Sequence, residues 1–117
     1  MRTLLYLTAA CLLNTLTPAP KTEVEWSAEL AQQVQGEAEH RLPDGSRIDI
    51  LTDEVAWEVE WSDKWPESIG QSVFYGLATD RKPGVWLLLR GRHDEDYLQC
   101  LMVCRHLNIE LRTIDTD

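Results

Sequence analysis

Residues 37–61 read EAEHRLPDGSRIDILTDEVAWEVEW, and the fold follows from the two places where this stretch turns. Pro43 suits the first central position of a type I turn, and Gly45 supplies the left-handed residue that completes a three-residue loop. Pro43-Asp44-Gly45 therefore joins strands over 37–42 and 46–51. A second turn, Thr52-Asp53-Glu54-Val55, leads into a strand over 56–61. In that strand Trp57, Val59 and Trp61 alternate with Ala56, Glu58 and Glu60, the period of two expected of a sheet with unlike faces.

The turns also set which residues meet. With Pro43-Asp44-Gly45 as the loop, Leu42 faces Ser46 and Glu39 falls opposite Asp49. Centring the second turn between Asp53 and Glu54 sets Leu51 against Ala56, Asp49 against Glu58 and Arg47 against Glu60. Ile48, Ile50, Trp57 and Val59 then take the opposite, core-facing side. A slip of one residue in the first hairpin would bring His40, not Glu39, beside Asp49. Acids placed across neighbouring strands repel. Protonation, Arg47 or a hard divalent cation would compensate, and carboxylate oxygens are the ligands that Mg²⁺ prefers. A solvated acidic face is the plainer explanation of such a row.

Toward the N-terminus, Thr22 and Glu25 read as a capping box, and Trp26, Leu30 and Val34 recur at helical spacing, so a helix is expected over 23–35, ended by Gly36. Toward the C-terminus, Ser62 or Asp63 caps a helix that accepts Pro66 in its first turn, packs along Ile69, Val73 and Gly76, and runs to about Asp80. Lys64, Glu67, Gln71 and Tyr75 share one arc of that helix, a polar face directly after the acid strand. Pro83-Gly84 breaks it, and Val85–Leu89 is an apolar run suited to a buried strand. After a turn at Gly91–Asp94, Tyr97, Leu101 and Cys104 mark a last helix, and 109–114 a short strand. The order α-β-β-β-α-β-α-β predicts an α/β fold.

The chain has 117 residues, enough for one core, and 44% hydrophobic residues with five Trp to fill it. A net charge of −9 excludes a general basic surface for phosphate, so nucleic acid would have to be met at a local site. A soluble acidic surface accounts for the charge equally well. After Arg2, the apolar run Leu4–Leu13 is too short to span a bilayer and fits the core of a secretory signal. A buried N-terminal helix is the alternative, and no clean A-x-A precedes Pro20. The expected organisation is an N-terminal segment, 1–20, and a domain, 21–117, secreted or periplasmic if that segment is a signal and cytoplasmic otherwise, with no membrane embedding of the mature chain. Cys11 lies in the run. Cys100 and Cys104, at i and i+4, read as buried thiols rather than a bridge, and with His106 they match no closed zinc pattern. His40, His93 and His106 stand isolated. Trp61 and Trp65 flank a sheet-to-helix junction, a core position that also permits stacking on bases.

Asp49, then Glu58-Val59-Glu60, then Gln71-x-x-x-Tyr75, in this order of elements, resembles the PD-(D/E)XK nuclease superfamily over residues 23–90. The resemblance implies a single-domain restriction-endonuclease-like core, α-β-β-β-α-β, with an added C-terminal helix and strand. It implies Asp49 and Glu58 as ligands of Mg²⁺ or Mn²⁺, the Val59 carbonyl as a further oxygen, and hydrolysis of phosphodiester bonds in DNA or RNA. Glu60 stands where the family usually has Lys, and Lys64 is the substitute. Gln71, Tyr75 and Arg47 would position substrate, while Glu39 and Glu60 would hold a second ion or tune the first. A homodimer is the arrangement by which small nucleases cut both strands. Glu60 and the acidic charge point to an alternative, a catalytically inactive binding or interaction module of the same fold. A third reading is an acidic mimic that fills a partner's basic groove.

Overall fold

Helix α1 (Glu23–Gln33) starts where its capping box dictates: Thr22 Oγ1 accepts the Glu25 N–H at 3.2 Å, and the Thr22 N–H donates to Glu25 Oε1 at 3.4 Å. The computed structural model containing it describes residues 19–117; Arg2, the run Leu4–Leu13 and Cys11 lie outside the described residues. The helix stops short of the expected residue 35. Gln35 turns to φ +54° and donates to Gln32 O at 3.4 Å, while the Gly36 N–H reaches Ala31 O at 2.8 Å. These are the paired bonds of a Schellman cap. Gly36 is needed for a different reason from the one expected, because a Cβ there would stand 2.7 Å from Ile50 Cγ2. Helices α2 (Trp65–Thr79) and α3 (Asp94–Leu107) close in a similar way, on left-handed Asp80 and Asn108.

The strands are β1 (Glu37–Arg41), β2 (Arg47–Leu51), β3 (Val55–Trp61), β4 (Lys82–Leu89) and β5 (Glu110–Asp115), and they lie in the sheet in chain order. The pairs β1–β2 and β2–β3 are antiparallel, whereas β3–β4 and β4–β5 are parallel. Parallel neighbours need a crossover, and α2 and α3 provide the two. The described chain is thus one α/β domain with a mixed five-stranded sheet and three helices.

Leu30 and Ala31 of α1 cover one face, packing with Ile50, Trp57, Val59, Trp86 and Leu88. On the other face α2 and α3 bring Trp65, Ile69, Val73, Cys100 and Cys104 onto Val85 and Leu87. β4 is buried on both sides, which is why Val85–Leu88 is continuously apolar. The thiols of Cys100 and Cys104 are free and buried, 3.8 Å apart.

Two expectations need correcting. Pro83-Gly84 does not break the helix, which has already closed on Asp80; both residues lie within β4. Glycine is required at 84 because a Cβ would stand 2.6 Å from both Trp57 Cε3 and Val55 Cγ1. Gly84→Ala should therefore cost about 1–3 kcal/mol through overpacking. Urea unfolding should show a lower midpoint with unchanged slope, and an unchanged midpoint would mean that Trp57 has room to move. Nor do Ser62 and Asp63 cap α2, which is entered through a 3₁₀ turn, Ser62–Lys64, with no side-chain cap. Ser62 Oγ instead accepts the Arg90 N–H at 3.2 Å, and Asp63 binds the Arg90 guanidinium. Among the described residues, no helix is long and apolar enough to cross a membrane.

Candidate functional site

Both hairpins take the register set by their turns. Around Pro43-Asp44-Gly45 the Leu42 N–H donates to Ser46 O at 2.9 Å, with Gly45 at φ +89°. Ala38 pairs with Ile50 and His40 with Ile48, so Glu39 is in register with Asp49 and the slipped pairing does not occur. His40 bonds Glu37 instead. Across the second turn, Leu51 pairs with Ala56 and Ile50 with Trp57, and the regular pairing ends there, with Asp49 and Glu58 as neighbours just beyond it.

There the ladder opens. Asp49 Oδ2, a side-chain oxygen, accepts the Val59 N–H at 2.9 Å. Beyond this point the expected alternation fails in two respects. Ile48 leaves the face of Ile50 and packs with Ala56 and Tyr75 on the α2 side. Arg47 does not meet Glu60 but pairs with Glu39 at 3.7 Å. Glu39 itself has φ +57°, uncommon for a residue with a side chain, and so marks the irregularity on β1 as well.

The acids at this opening are buried: Glu58 is 6% exposed and Glu60 8%. Glu58 Oε1 has no hydrogen-bond partner. Burial, and next the Asp49 charge, push the Glu58 carboxyl up to about 9. Burial also raises Asp49, against the pull of the Val59 N–H. Glu60 is pushed up to about 7, by burial first and then by Glu23 and Glu67, although the Trp61 N–H and Lys64 oppose this. Glu23, in the first turn of α1, is raised by its own burial and by Asp49. Four carboxyls from three elements thus feel one another's charge along this opening without closing into one tight group: Glu23 of α1, Asp49 of β2, and Glu58 and Glu60 of β3.

The remaining expected residues are distributed unevenly around them. Lys64 is exposed at the end of the 3₁₀ turn, close enough to favour the charged forms of Glu60 and Glu23. Glu39 and Arg47 form an ion pair at the rim. Gln71 is exposed, but Tyr75, one turn later, is only 7% exposed. Its phenol is raised by burial and then by the Glu58 charge, and its ring packs with Ile48 and Ala56 rather than sharing an open face with Gln71. Glu23 and Arg90 were not expected. Glu23 was legible only as a first-turn acid of the kind helix N-termini favour, and Arg90 as a cation closing an apolar strand.

Among the described residues, no three His, Cys, Asp or Glu side chains are gathered closely enough to hold a metal ion. The site offers instead a pair of hard carboxylates, Asp49 and Glu58, with one buried oxygen unsatisfied. That donor set fits Mg²⁺ or Mn²⁺: Mg²⁺ commonly uses one or two carboxylates, keeps several waters and takes the rest of its shell from substrate phosphate. Comparison with family models, with curated proteins and with solved structures returned no match.

Proposed function

We propose that this chain is a metal-dependent nuclease of the PD-(D/E)XK type that hydrolyses phosphodiester bonds in DNA or RNA. In this reading α1-β1-β2-β3-α2-β4 is the restriction-endonuclease-like core, extended by α3 and β5. The observation that carries it is the unpartnered, buried oxygen of Glu58, beside Asp49 where the β2–β3 ladder opens. An uncompensated buried carboxylate pair is costly, so such an arrangement calls for a proton or a cation.

Asp49 and Glu58 would hold a divalent cation, which when bound would supply positive charge to a phosphate and make water more acidic there. The chain's own groups do the rest. Glu60, titrating near neutrality, is suited to taking and returning a proton. Lys64 at the lip stabilises negative charge developing on phosphate, in place of the Lys that the motif usually carries at position 60. Tyr75, packed with Ile48 and Ala56, would close the α2 side of the site. Glu60 in that place also supports a second reading, an inactive binding or interaction module.

Incubating the purified chain with plasmid DNA, single-stranded DNA and RNA, in Mg²⁺ or Mn²⁺, separates the two. Cleavage should require the metal and fall by about 10²-fold or more in Asp49→Asn. A folded protein that cleaves nothing, and whose Tm ignores both metals, would leave the binding module.

A further inference from the structure

Beside the acid cluster, between the start of α1, the end of β3 and the C-terminal tail, lies an open groove of about 510 Å³ lined chiefly by Pro20, Lys21, Trp26, Trp61, Arg90 and Asp117. Two cations lie over two indole rings in it. The Arg90 guanidinium is 4.2 Å from the Trp61 ring centroid, and Lys21 Nζ is 4.4 Å from that of Trp26. Asp63 grips Arg90 with two bonds, Nε to Oδ1 at 2.8 Å and Nη2 to Oδ2 at 3.2 Å, so the guanidinium plane is fixed. Lys21 is held by Glu29. The tail is tied down as well: Thr116 Oγ1 donates to Leu89 O at 2.7 Å, and Asp117 accepts the Gly91 N–H at 3.1 Å. The groove adjoins the acids through the chain itself, since Glu60 precedes Trp61 and Glu23 follows Lys21 by two residues.

We infer that this groove seats an unpaired nucleotide of the nucleic acid to be cut, its base stacked on the Trp61–Arg90 platform and its phosphate between Lys21 and Arg90. The inference rests on the nuclease reading and adds to it a preference for single-stranded substrate. Aromatic rings and Arg planes are the surfaces on which proteins stack splayed bases. A base inside a duplex has both faces covered and cannot use them. Lys21 and Arg90 are each paired with an acid and Asp117 also lines the groove, so a phosphate there is met not by net positive charge but by the N–H donors that the pairs with Glu29 and Asp63 leave free. Trp26 and Trp61 also pack against the core beneath α1, so a test must separate stacking from packing.

Binding is measured by anisotropy of a labelled oligonucleotide, in Mg²⁺, on the full chain carrying Asp49→Asn, and cleavage is measured on the unaltered chain. A single strand should bind roughly 5- to 100-fold more tightly than an abasic strand of equal length or the matching duplex. Adding Trp61→Leu, which preserves apolar packing and is checked by circular dichroism, should abolish that preference. Equal binding of all three ligands, or an intact preference in folded Trp61→Leu, overturns the subsite; metal-dependent cleavage by the unaltered chain would show that the nuclease reading survives. Absence of both binding and cleavage overturns the two together.

Discussion

Glu58→Gln should move activity and metal-free stability in opposite directions. Cleavage should fall by about 10²- to 10³-fold, the usual cost of removing one group that stabilises charge at a reacting centre. Yet the folded protein without metal should gain stability at pH 8. Glu58 is nearly inaccessible, has an oxygen with no partner and faces Asp49. At pH 8 the folded protein must hold a proton there that the unfolded chain has released, or carry a buried charge. Gln keeps the shape and needs neither, so the gain should be on the order of 2–4 kcal/mol, less whatever its amide loses for want of a partner. Urea unfolding in EDTA measures it. A variant less stable than its parent at pH 8 would mean that Glu58 is structurally satisfied and that no cation is needed there.

The second large effect is on pH dependence. Glu58 and Glu60 both have carboxyls raised on folding, to about 9 and about 7 from an ordinary 4.5. A raised acid binds more protons in the folded state than in the unfolded one. Its stabilising contribution is therefore complete below the ordinary value and is lost as pH rises through the folded value. Asp49 and Glu23 act in the same direction. Asp63, lowered first of all by its hydrogen bond to Arg90, acts the other way, but it is exposed and matters only at acid pH. Without metal, stability should thus decline from about pH 5 to pH 9, with the Glu60 part gone by about pH 7 and the Glu58 part following. Because Mn²⁺ competes with protons for these carboxyls, it should raise Tm by about 10 °C at pH 8 when present near a hundred times its Kd. At pH 5 the shift should be small. Thermal melts at both pH values, with EDTA or Mn²⁺, provide the comparison. Metal-free stability that rises between pH 5 and 8, or an equal Mn²⁺ shift at both, would rule out the buried row as the cation's site.

Hairpin register is decided by a few adjacent residues. Pro43 and Gly45 impose the three-residue loop, side chains alternate with a period of two, and the match of Asp49 to Glu58 follows by counting. Contacts of that kind need no knowledge of the rest of the chain. The capping box at Thr22 and the apolar run in β4 are local in the same sense. What counting missed is where the ladder ends. Regular pairing would carry Arg47 to Glu60 and keep Ile48 on the face of Ile50, but at Asp49 the strands part and both assignments change.

By itself, then, the sequence determined the order of elements, the two turns, and the meeting of Asp49 with Glu58, because each depends on interactions within about a dozen residues along the chain. Only the tertiary structure decided that Glu23 comes within reach of the Asp49 and Glu60 charges, that Tyr75 is buried with Ile48 and Ala56, and that Arg90 stacks on Trp61 under the grip of Asp63. Those placements depend on which end of α1 reaches the acids and on the parallel pairing of β3 with β4, residues 27 apart for Asp63 and Arg90. Both are settled by how apolar faces pack across the whole sheet, which no local spacing records.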